Sequence, residues 1–146
     1  MQTIAFHPSG ERAPYERYFD HLSDFLGTKV CNGADLATLA NDRLPADILD
    51  RLLDIGLKWE EIAFIIPRRT LSHRREKGRR LTIEESDKVI RLARLLAQTT
   101  NTFGDAERAL RWLRTTQQRL GGAAPVTLAG TEQGAHLVEE QLVQID

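Results

Sequence analysis

Apolar residues recur at spacings of three and four along most of the chain, which is the repeat of an amphipathic helix. No run of alternating polar and apolar residues is long enough to predict a strand, so the pattern predicts an all-α fold of short helices. The predicted helices cover residues 15–26, 34–41, 45–55, 57–66, 67–78, 82–98, 105–120, 126–128 and 132–145.

A proline interrupts the middle of this pattern. Pro67 disfavours the α conformation at the residue before it, so one helix must end there and another can begin. Leu71 is the one large apolar residue of this next helix, and Gly78 ends it. Two short helices joined by a tight turn, the second polar and held by one apolar anchor, are typical of a helix-turn-helix motif.

The second half of the chain carries further start and stop signals. Thr82 and Glu85 have the spacing of a capping box, which begins the long helix. Residues 99–102 (Thr-Thr-Asn-Thr) are expected to break that helix before the helical pattern resumes. Residues 121–125 contain two glycines and a proline and predict a turn, and Thr131 is placed to cap the last helix.

Charge is distributed unevenly along the chain. Residues 67–80 carry seven basic side chains and one acidic side chain, a net charge of +6, whereas the whole chain carries −1. A basic helix on an otherwise acidic protein predicts a polyanion on that face, although a solvated basic loop would have the same composition. Residues 132–146 carry four acidic side chains and no Lys or Arg. DNA phosphates would repel this end, so we expect a partner surface or a solvated helix face.

The polar residues do not predict enzymatic or metal chemistry. Cys31 is the only cysteine, which excludes an internal disulfide and a zinc site built from several thiolates. None of the four histidines lies at metal-ligand spacing from another, adjacent carboxylates diverge on a helix, and no glycine-rich phosphate loop precedes a helix. We therefore expect no enzyme, no catalytic residue, no cofactor and no metal.

The sequence has no feature that predicts membrane insertion or export. The longest apolar run covers residues 62–66, which is too short to cross a bilayer. The first residues lack the basic and apolar regions of a signal peptide. We therefore expect a cytoplasmic protein that associates with the nucleoid.

Several stretches resemble one protein family when they are taken in order. Residues 66–71, Ile-Pro-Arg-Arg-Thr-Leu, are similar to the helix-turn-helix of Xre-type antitoxins from bacterial RES–Xre toxin–antitoxin modules. The C-terminal matches resemble the Xre/MbcA/ParS toxin-binding domain, and the similarity covers roughly residues 45–146. The matching positions downstream are 81–87, 91–94, 103–105, 111–114, Pro125, Leu128, Thr131, 134–135, 138–140 and 145–146.

The resemblance implies two domains and two activities. The domains are a helix-turn-helix DNA-binding domain (45–98) and a small helical toxin-binding domain (99–146). Residues 1–44 form an N-terminal arm and helix with a possible role in dimerisation, which the resemblance does not cover. The activities are autorepression of the module's own promoter by a dimer and neutralisation of a RES toxin, an enzyme that degrades NAD⁺. The alternative is a stand-alone dimeric helix-turn-helix repressor whose C-terminal domain only oligomerises.

A recognition helix reads base edges with its N-terminal residues and holds phosphates with the others, which divides the basic stretch into two sets. We predict base contacts by Arg69, Thr70, Ser72 and His73. We predict phosphate contacts by Arg68, Arg74, Arg75, Lys77, Arg79 and Arg80.

The resemblance also implies that the C-terminal end of the chain lies at the mouth of the toxin's active site. Acidic groups there could occupy an arginine-lined pocket that otherwise takes the pyrophosphate of NAD⁺. We predict that the turn at residues 121–125 contacts the toxin. On the last helix we predict toxin contacts by Glu132, His136, Glu139, Glu140, Gln144 and Asp146.

The first predicted helix has an aromatic face with two possible uses. It can pack on the rest of its own chain, or it can join two copies, since two-fold dimers are the usual way for helix-turn-helix proteins to read an inverted repeat. In the second case the predicted dimer residues are Tyr18, Phe19, Leu22 and Phe25.

Overall fold

The structure is a computed structural model, and it describes residues 14–145. The predicted N-terminal arm up to residue 13 and Asp146 lie outside this range. Within it the chain is helical and forms no strand, which confirms the all-α prediction. The elements in chain order are α1 (Pro14–Leu26), α2 (Gly33–Asp42), α3 (Ile48–Ile55), α4 (Trp59–Ile62), α5 (Arg68–Glu76), α6 (Ile83–Phe103), α7 (Ala106–Leu113), the 3-10 helices η1 (Gln118–Leu120) and η2 (Pro125–Gly130), and α8 (Glu132–Ile145).

The core is built around α6, against which α1, α2, α7 and α8 all pack. Val89, Leu92 and Leu96 are almost completely buried along this helix, and each such side chain contributes about 1.5–3 kcal/mol through its burial. Ile83, predicted to be buried, is 45% exposed at the first position of α6. Although α6 has 21 residues, neither it nor any other described helix is apolar enough to cross a membrane.

The predicted break in the long helix is wrong. α6 continues without interruption through Thr99 to Phe103, and Gly104 ends it with a φ of 101°. The Thr99 hydroxyl donates a hydrogen bond to the Leu95 carbonyl at 2.6 Å, so the buried polar group is satisfied inside the helix. Tertiary packing here outweighs the low helix propensity of threonine, which is worth only about 0.7 kcal/mol per residue. The predicted domain boundary after residue 98 therefore falls within a continuous helix.

The helix predicted to extend to Leu120 is too long, because α7 ends earlier and an irregular loop follows. Gln117 and Ala123 pair across this loop in an isolated antiparallel bridge. The reversal between them depends on Gly121 and Gly122, whose φ values of 68° and 82° are rarely adopted by residues with a side chain. Leu120 lies in η1 and not in a continuation of α7.

The aromatic face of α1 packs against the chain's own core. Phe19, Leu22 and Phe25 are 8%, 0% and 7% exposed, and α1 lies against α6. Tyr18 is half-buried. This burial favours the intramolecular alternative and disfavours a dimer contact through these three side chains. Dimerisation and the predicted dimer residues stay a prediction.

Candidate functional site

α5 is a short, exposed helix that one apolar side chain holds to the core. As predicted, Leu71 is buried, at 5% exposed, and Gly78 follows the helix, with a φ of 62°. Pro67, predicted to open the helix, instead precedes it in an extended conformation. The preceding α4 is shorter than predicted and ends at Ile62, after which the buried Ile66 leads into the proline. α4 and α5 therefore form a helix-turn-helix pair.

Two arginines of α5 are engaged within the fold at its beginning and near its end. The Arg68 guanidinium lies 4.7 Å from the ring centroid of Trp59, a cation–π contact with the first residue of α4. Arg74 forms an ion pair with Glu85, and both side chains are largely buried. Glu85 also accepts the Thr82 N–H at 2.8 Å as part of the predicted capping box. Arg74 thus joins α5 to α6, and this engagement disfavours its predicted role at a phosphate.

Two further arginines are partly engaged. Arg75 donates a hydrogen bond to the Asp50 carboxylate at 2.7 Å, and Arg80 donates one to the Arg43 carbonyl at 2.9 Å. Both remain exposed, so they can still approach a phosphate from these positions. The side chains of the three remaining basic residues, Arg69, Lys77 and Arg79, form no hydrogen bond or ion pair with any described residue.

The predicted base-contacting residues divide by the face of α5 on which they lie. Arg69, Ser72 and His73 are spaced three and four apart, so they share one face, and all three are exposed opposite the Leu71 anchor. Thr70 lies toward the side of α5 and is half-buried. The structure therefore brings together three of the four residues on a surface that a DNA groove can reach.

Acid is expected to destabilise the protein through two carboxyl groups. Burial alone would raise the pKa of Glu85, but hydrogen bonds from Arg74 and from the Thr82 backbone outweigh it and lower the pKa. The pKa of Glu61 is lowered in the same way, with burial opposed by hydrogen bonds from Arg114 and the backbone. Because both folded-state values lie below the ordinary value of 4.5, their stabilisation is complete above that pH and is lost below it.

The measurement is the free energy of unfolding by urea, followed by circular dichroism from about pH 7 to about pH 3. A Glu85→Gln variant keeps a capping oxygen but no titratable group, so its stability should fall less steeply below the ordinary carboxyl pKa. A pH dependence equal to that of the unsubstituted protein would contradict the assignment.

The acidic side chains of α8 lie on two faces, and one face is neutralised within the fold. Arg91 Nε lies 3.2 Å from Glu132 Oε2, and Arg94 Nη2 lies 2.9 Å from Glu139 Oε2. Burial alone would lower the pKa of Arg94. The electrostatic attraction of Glu139 and the neighbouring Tyr18 outweighs this effect, so the pKa is raised. These pairs join α8 to α6, so Glu132 and Glu139 are already compensated.

The other predicted partner residues of α8 face outward. His136 Nε2 lies 3.0 Å from Glu140 Oε1 one turn further along, and both side chains are exposed. Gln144 accepts a hydrogen bond from Arg119 of η1 at 3.1 Å, which places the predicted turn beside the end of α8. Asp146 lies outside the described residues. Glu140, unlike Glu132 and Glu139, is therefore paired only on its own helix.

α8 also exposes apolar side chains that sequence reasoning missed. Leu137, Val143 and Ile145 are 50%, 68% and 43% exposed. Ile145 had been predicted to continue the buried stripe, and the other two do not fit a helical repeat toward the core. Val143 shares a side of the helix with His136 and Glu140, which lie seven and three residues before it, and Leu137 lies at the edge of that side. Ile145, two residues after Val143, lies on the opposite side of the helix. Exposed large apolar side chains beside polar ones are typical of a protein interface. We call His136, Leu137, Glu140 and Val143 the outer face of α8.

The start of α8 is held in place by a close backbone approach. The Thr131 hydroxyl accepts the Gly134 N–H at 3.0 Å, which confirms the predicted cap. A Cβ on Gly134 would lie 2.2 Å from the Leu128 carbonyl oxygen, closer than any real contact. Arg91 of α6 donates to the Ala129 carbonyl at 3.0 Å. The outer face of α8 is thus presented by a rigidly packed junction.

Two family models match the chain in the order in which these parts occur. The model described as "Antitoxin Xre-like helix-turn-helix domain" matches residues 35–94. The model described as "Antitoxin Xre/MbcA/ParS C-terminal toxin-binding domain" matches residues 98–146.

The chain is also similar to curated proteins named "Antitoxin Xre". It is 35% identical to one from Pseudomonas putida KT2440 over 133 residues, which cover 90% of this chain and 84% of that protein. It is 38% identical to one from Yersinia enterocolitica over 114 residues, which cover 75% and 77% of the two chains. A third, from Photorhabdus laumondii, is 26% identical over 114 residues with the same coverage.

Proposed function

The chain belongs to the Xre antitoxin family, and from this premise we propose that it represses its own promoter as a dimer and neutralises a RES-type toxin that degrades NAD⁺. An antitoxin of a toxin–antitoxin module with a helix-turn-helix domain has two partners, a toxin and DNA. The observation that carries the proposal is the presence of two separate exposed surfaces on one core, the polar face of α5 and the outer face of α8.

The polar face of α5 supports the DNA part of the proposal. Arg69, Ser72 and His73 meet base edges, because they lie near the beginning of the helix and are exposed together. Lys77 and Arg79 hold phosphates, since neither side chain forms a hydrogen bond or ion pair with a described residue. One such helix reads only a short site, so a dimer presents two of them to an inverted repeat whose half-sites lie about 34–36 Å apart.

The outer face of α8 supports the toxin part of the proposal. Its apolar side chains supply area to bury, and Glu140 supplies a carboxylate that no residue of α6 compensates. Such a carboxylate fits an arginine that binds a phosphate of NAD⁺ in the toxin, because guanidinium groups recognise both anions through similar paired hydrogen bonds.

The two neighbouring glutamates of α8 allow a matched prediction. Glu140→Lys should abolish protection from the toxin while changing the free energy of unfolding by no more than about 0.5 kcal/mol, as for an ordinary surface substitution. Glu139→Lys should instead cost roughly 1–2 kcal/mol, because it breaks the pair with Arg94 and sets two cations side by side. Growth during toxin expression and urea unfolding measure the two effects. Full protection by the Glu140→Lys variant would refute the assignment of the toxin face.

Co-expression with the protein encoded next to this chain tests the proposal as a whole. We expect that neighbour alone to stop growth and lower cellular NAD⁺, and co-expression of this chain to restore both while the two proteins purify together. Light scattering of the protein bound to DNA from upstream of its gene measures whether it binds as a dimer. Repression without any effect of the neighbour on NAD⁺ would instead favour a stand-alone repressor.

A further inference from the structure

Arg114 links the C-terminal part of the chain to the helix-turn-helix pair. It follows the last residue of α7, within the segment that matches the toxin-binding domain. Its Nε and Nη2 atoms each lie 2.8 Å from one oxygen of the Glu61 carboxylate in α4, a bidentate pair. Nη2 also donates to the Gly56 carbonyl at 2.7 Å. The Glu61 side chain is only 11% exposed, so solvent screens this pair weakly.

Glu61 is itself part of the first turn of α4. Its carboxylate accepts the backbone N–H of Lys58, the residue that caps this helix, at 2.8 Å. α4 has only four residues, and one helical turn has little stability of its own, because fixing its backbone costs more than its few hydrogen bonds return. The position of α4 therefore depends on contacts from outside, and Arg114 supplies a charged one.

A close contact accompanies the ion pair at the turn before α4. Gly56 has a φ of 126°, and a Cβ there would lie 2.9 Å from Leu110 Cδ1 of α7. α7 thus touches this turn with an apolar side chain and, one turn of helix later, with the Arg114 guanidinium. These two contacts set where the chain enters α4.

The position of α4 reaches α5 through Trp59. This residue begins α4 two positions before Glu61, and its ring carries the Arg68 guanidinium at 4.7 Å. Arg68 is the first residue of α5, the helix whose beginning reads base edges in the proposed function. A continuous set of contacts therefore runs from Arg114 through α4 to the N-terminal end of α5.

We propose that Arg114 is a positioning residue for DNA reading, supplied by the toxin-binding part of the chain. It holds α4, and through Trp59 and Arg68 the first turn of α5, at the angle that DNA requires. It does not itself touch DNA. This inference rests on the proposed DNA binding and extends it, because it makes the C-terminal part a component of the DNA-reading unit.

The test compares Arg114 with Arg111, which lies one turn earlier in α7, in the full-length protein. Arg114→Met should weaken binding to duplex DNA from upstream of the gene about tenfold, equal to about 1.4 kcal/mol. Arg111→Met is the matched control, since Arg111 lies nearby, is 70% exposed and pairs only with Glu107. We expect that control to bind as the unsubstituted protein does. Arg114→Lys, which keeps the charge but not the bidentate geometry, should lie between the two.

Salt dependence separates positioning from direct contact. Each phosphate contact adds about 0.9 to the slope of log affinity against log salt for duplex DNA. A positioning residue lowers affinity without changing that slope, so the Arg114→Met line should run parallel to that of the unsubstituted protein. A slope smaller by about one contact would make Arg114 a phosphate ligand and overturn the proposal.

Trp59 provides a readout without DNA. The chain has two tryptophans, so a Trp112→Phe background leaves Trp59 as the only one. In that background Arg114→Met should shift the emission of Trp59 and increase its quenching by acrylamide, whereas Arg111→Met should not. If Arg114→Met does not fold, Arg114→Lys gives the same comparison.

The outcomes distinguish the inference from the function on which it rests. Tight DNA binding that Arg114→Met leaves intact, or a Trp59 signal that does not respond, overturns the inference alone. Failure of the unsubstituted protein to bind this DNA overturns the DNA function, and the positioning role with it. Weakened binding on a parallel salt line together with a Trp59 response supports both.

Discussion

Replacing Gly134 by alanine is expected to destabilise the protein by roughly 2–4 kcal/mol, a large part of the stability of a domain of this size. The new Cβ would lie 2.2 Å from the Leu128 carbonyl oxygen and 3.0 Å from the Thr131 hydroxyl. The first atom belongs to the backbone of η2, and the second caps α8. The carbonyl cannot rotate away, and the hydroxyl could do so only by giving up the cap, so α8 would have to move from η2 and lose the buried packing of Ala135 and Val138.

Urea unfolding measures this effect, and the same segment supplies the control. Gly130→Ala is the same chemical change four residues earlier, at a glycine where a Cβ would meet nothing within 4 Å. We expect it to change the free energy of unfolding by no more than about 0.5 kcal/mol. Equal stability of the two variants would show that the close approach to Leu128 is not a constraint on the fold.

Replacing Arg69 by alanine is expected to weaken binding to duplex DNA from upstream of the gene by about 10-fold to 100-fold without changing stability. Arg69 is the second residue of α5, is exposed, and its side chain has no hydrogen bond or ion pair to a described residue. Its charge is therefore available to the DNA and contributes little to the fold. If it grips a base edge, the loss will be largest on the specific site and smaller on unrelated DNA.

Two other arginines provide the contrast. Arg74→Ala, on the same helix, should lower stability because it leaves the half-buried Glu85 without its partner. Arg108→Ala, at an exposed arginine of α7, should alter neither property. Fluorescence anisotropy measures the affinity and urea unfolding the stability. If the Arg69→Ala variant bound DNA as the unsubstituted protein does, the proposal that the polar face of α5 contacts DNA would lose its main support.

The helix-turn-helix could be predicted because its determinants are local. Pro67 leads into α5, Leu71 anchors this helix to the core, and Gly78 follows its end with a positive φ. Thr82 and Glu85 likewise satisfy each other three residues apart. Each of these effects depends on backbone geometry within one or two turns, so it can be recognised without knowing what lies across the fold.

Residues 99–102 show where local reasoning fails. Three threonines and an asparagine predict a break, yet α6 passes through them because its neighbours bury that side. Tertiary packing also buries the aromatic face of α1, so that Phe19 and Phe25 are core residues. Whether an apolar face meets its own chain or another copy depends on what is placed opposite, and periodicity carries no information about that.

By itself the sequence determined the all-α class, the order of the helices, the position of the basic helix and the acidic character of the C-terminal end. The tertiary structure alone decided which charges are available. Arg91 meets Glu132 across 41 residues, Arg94 meets Glu139 across 45, and Arg114 meets Glu61 across 53. Pairs at such separations arise only when helices pack. That packing paired Glu132 and Glu139 with arginines of α6 and Arg74 with Glu85, and among the described residues it left the Arg69 side chain and the outer face of α8 without an ion pair to another helix.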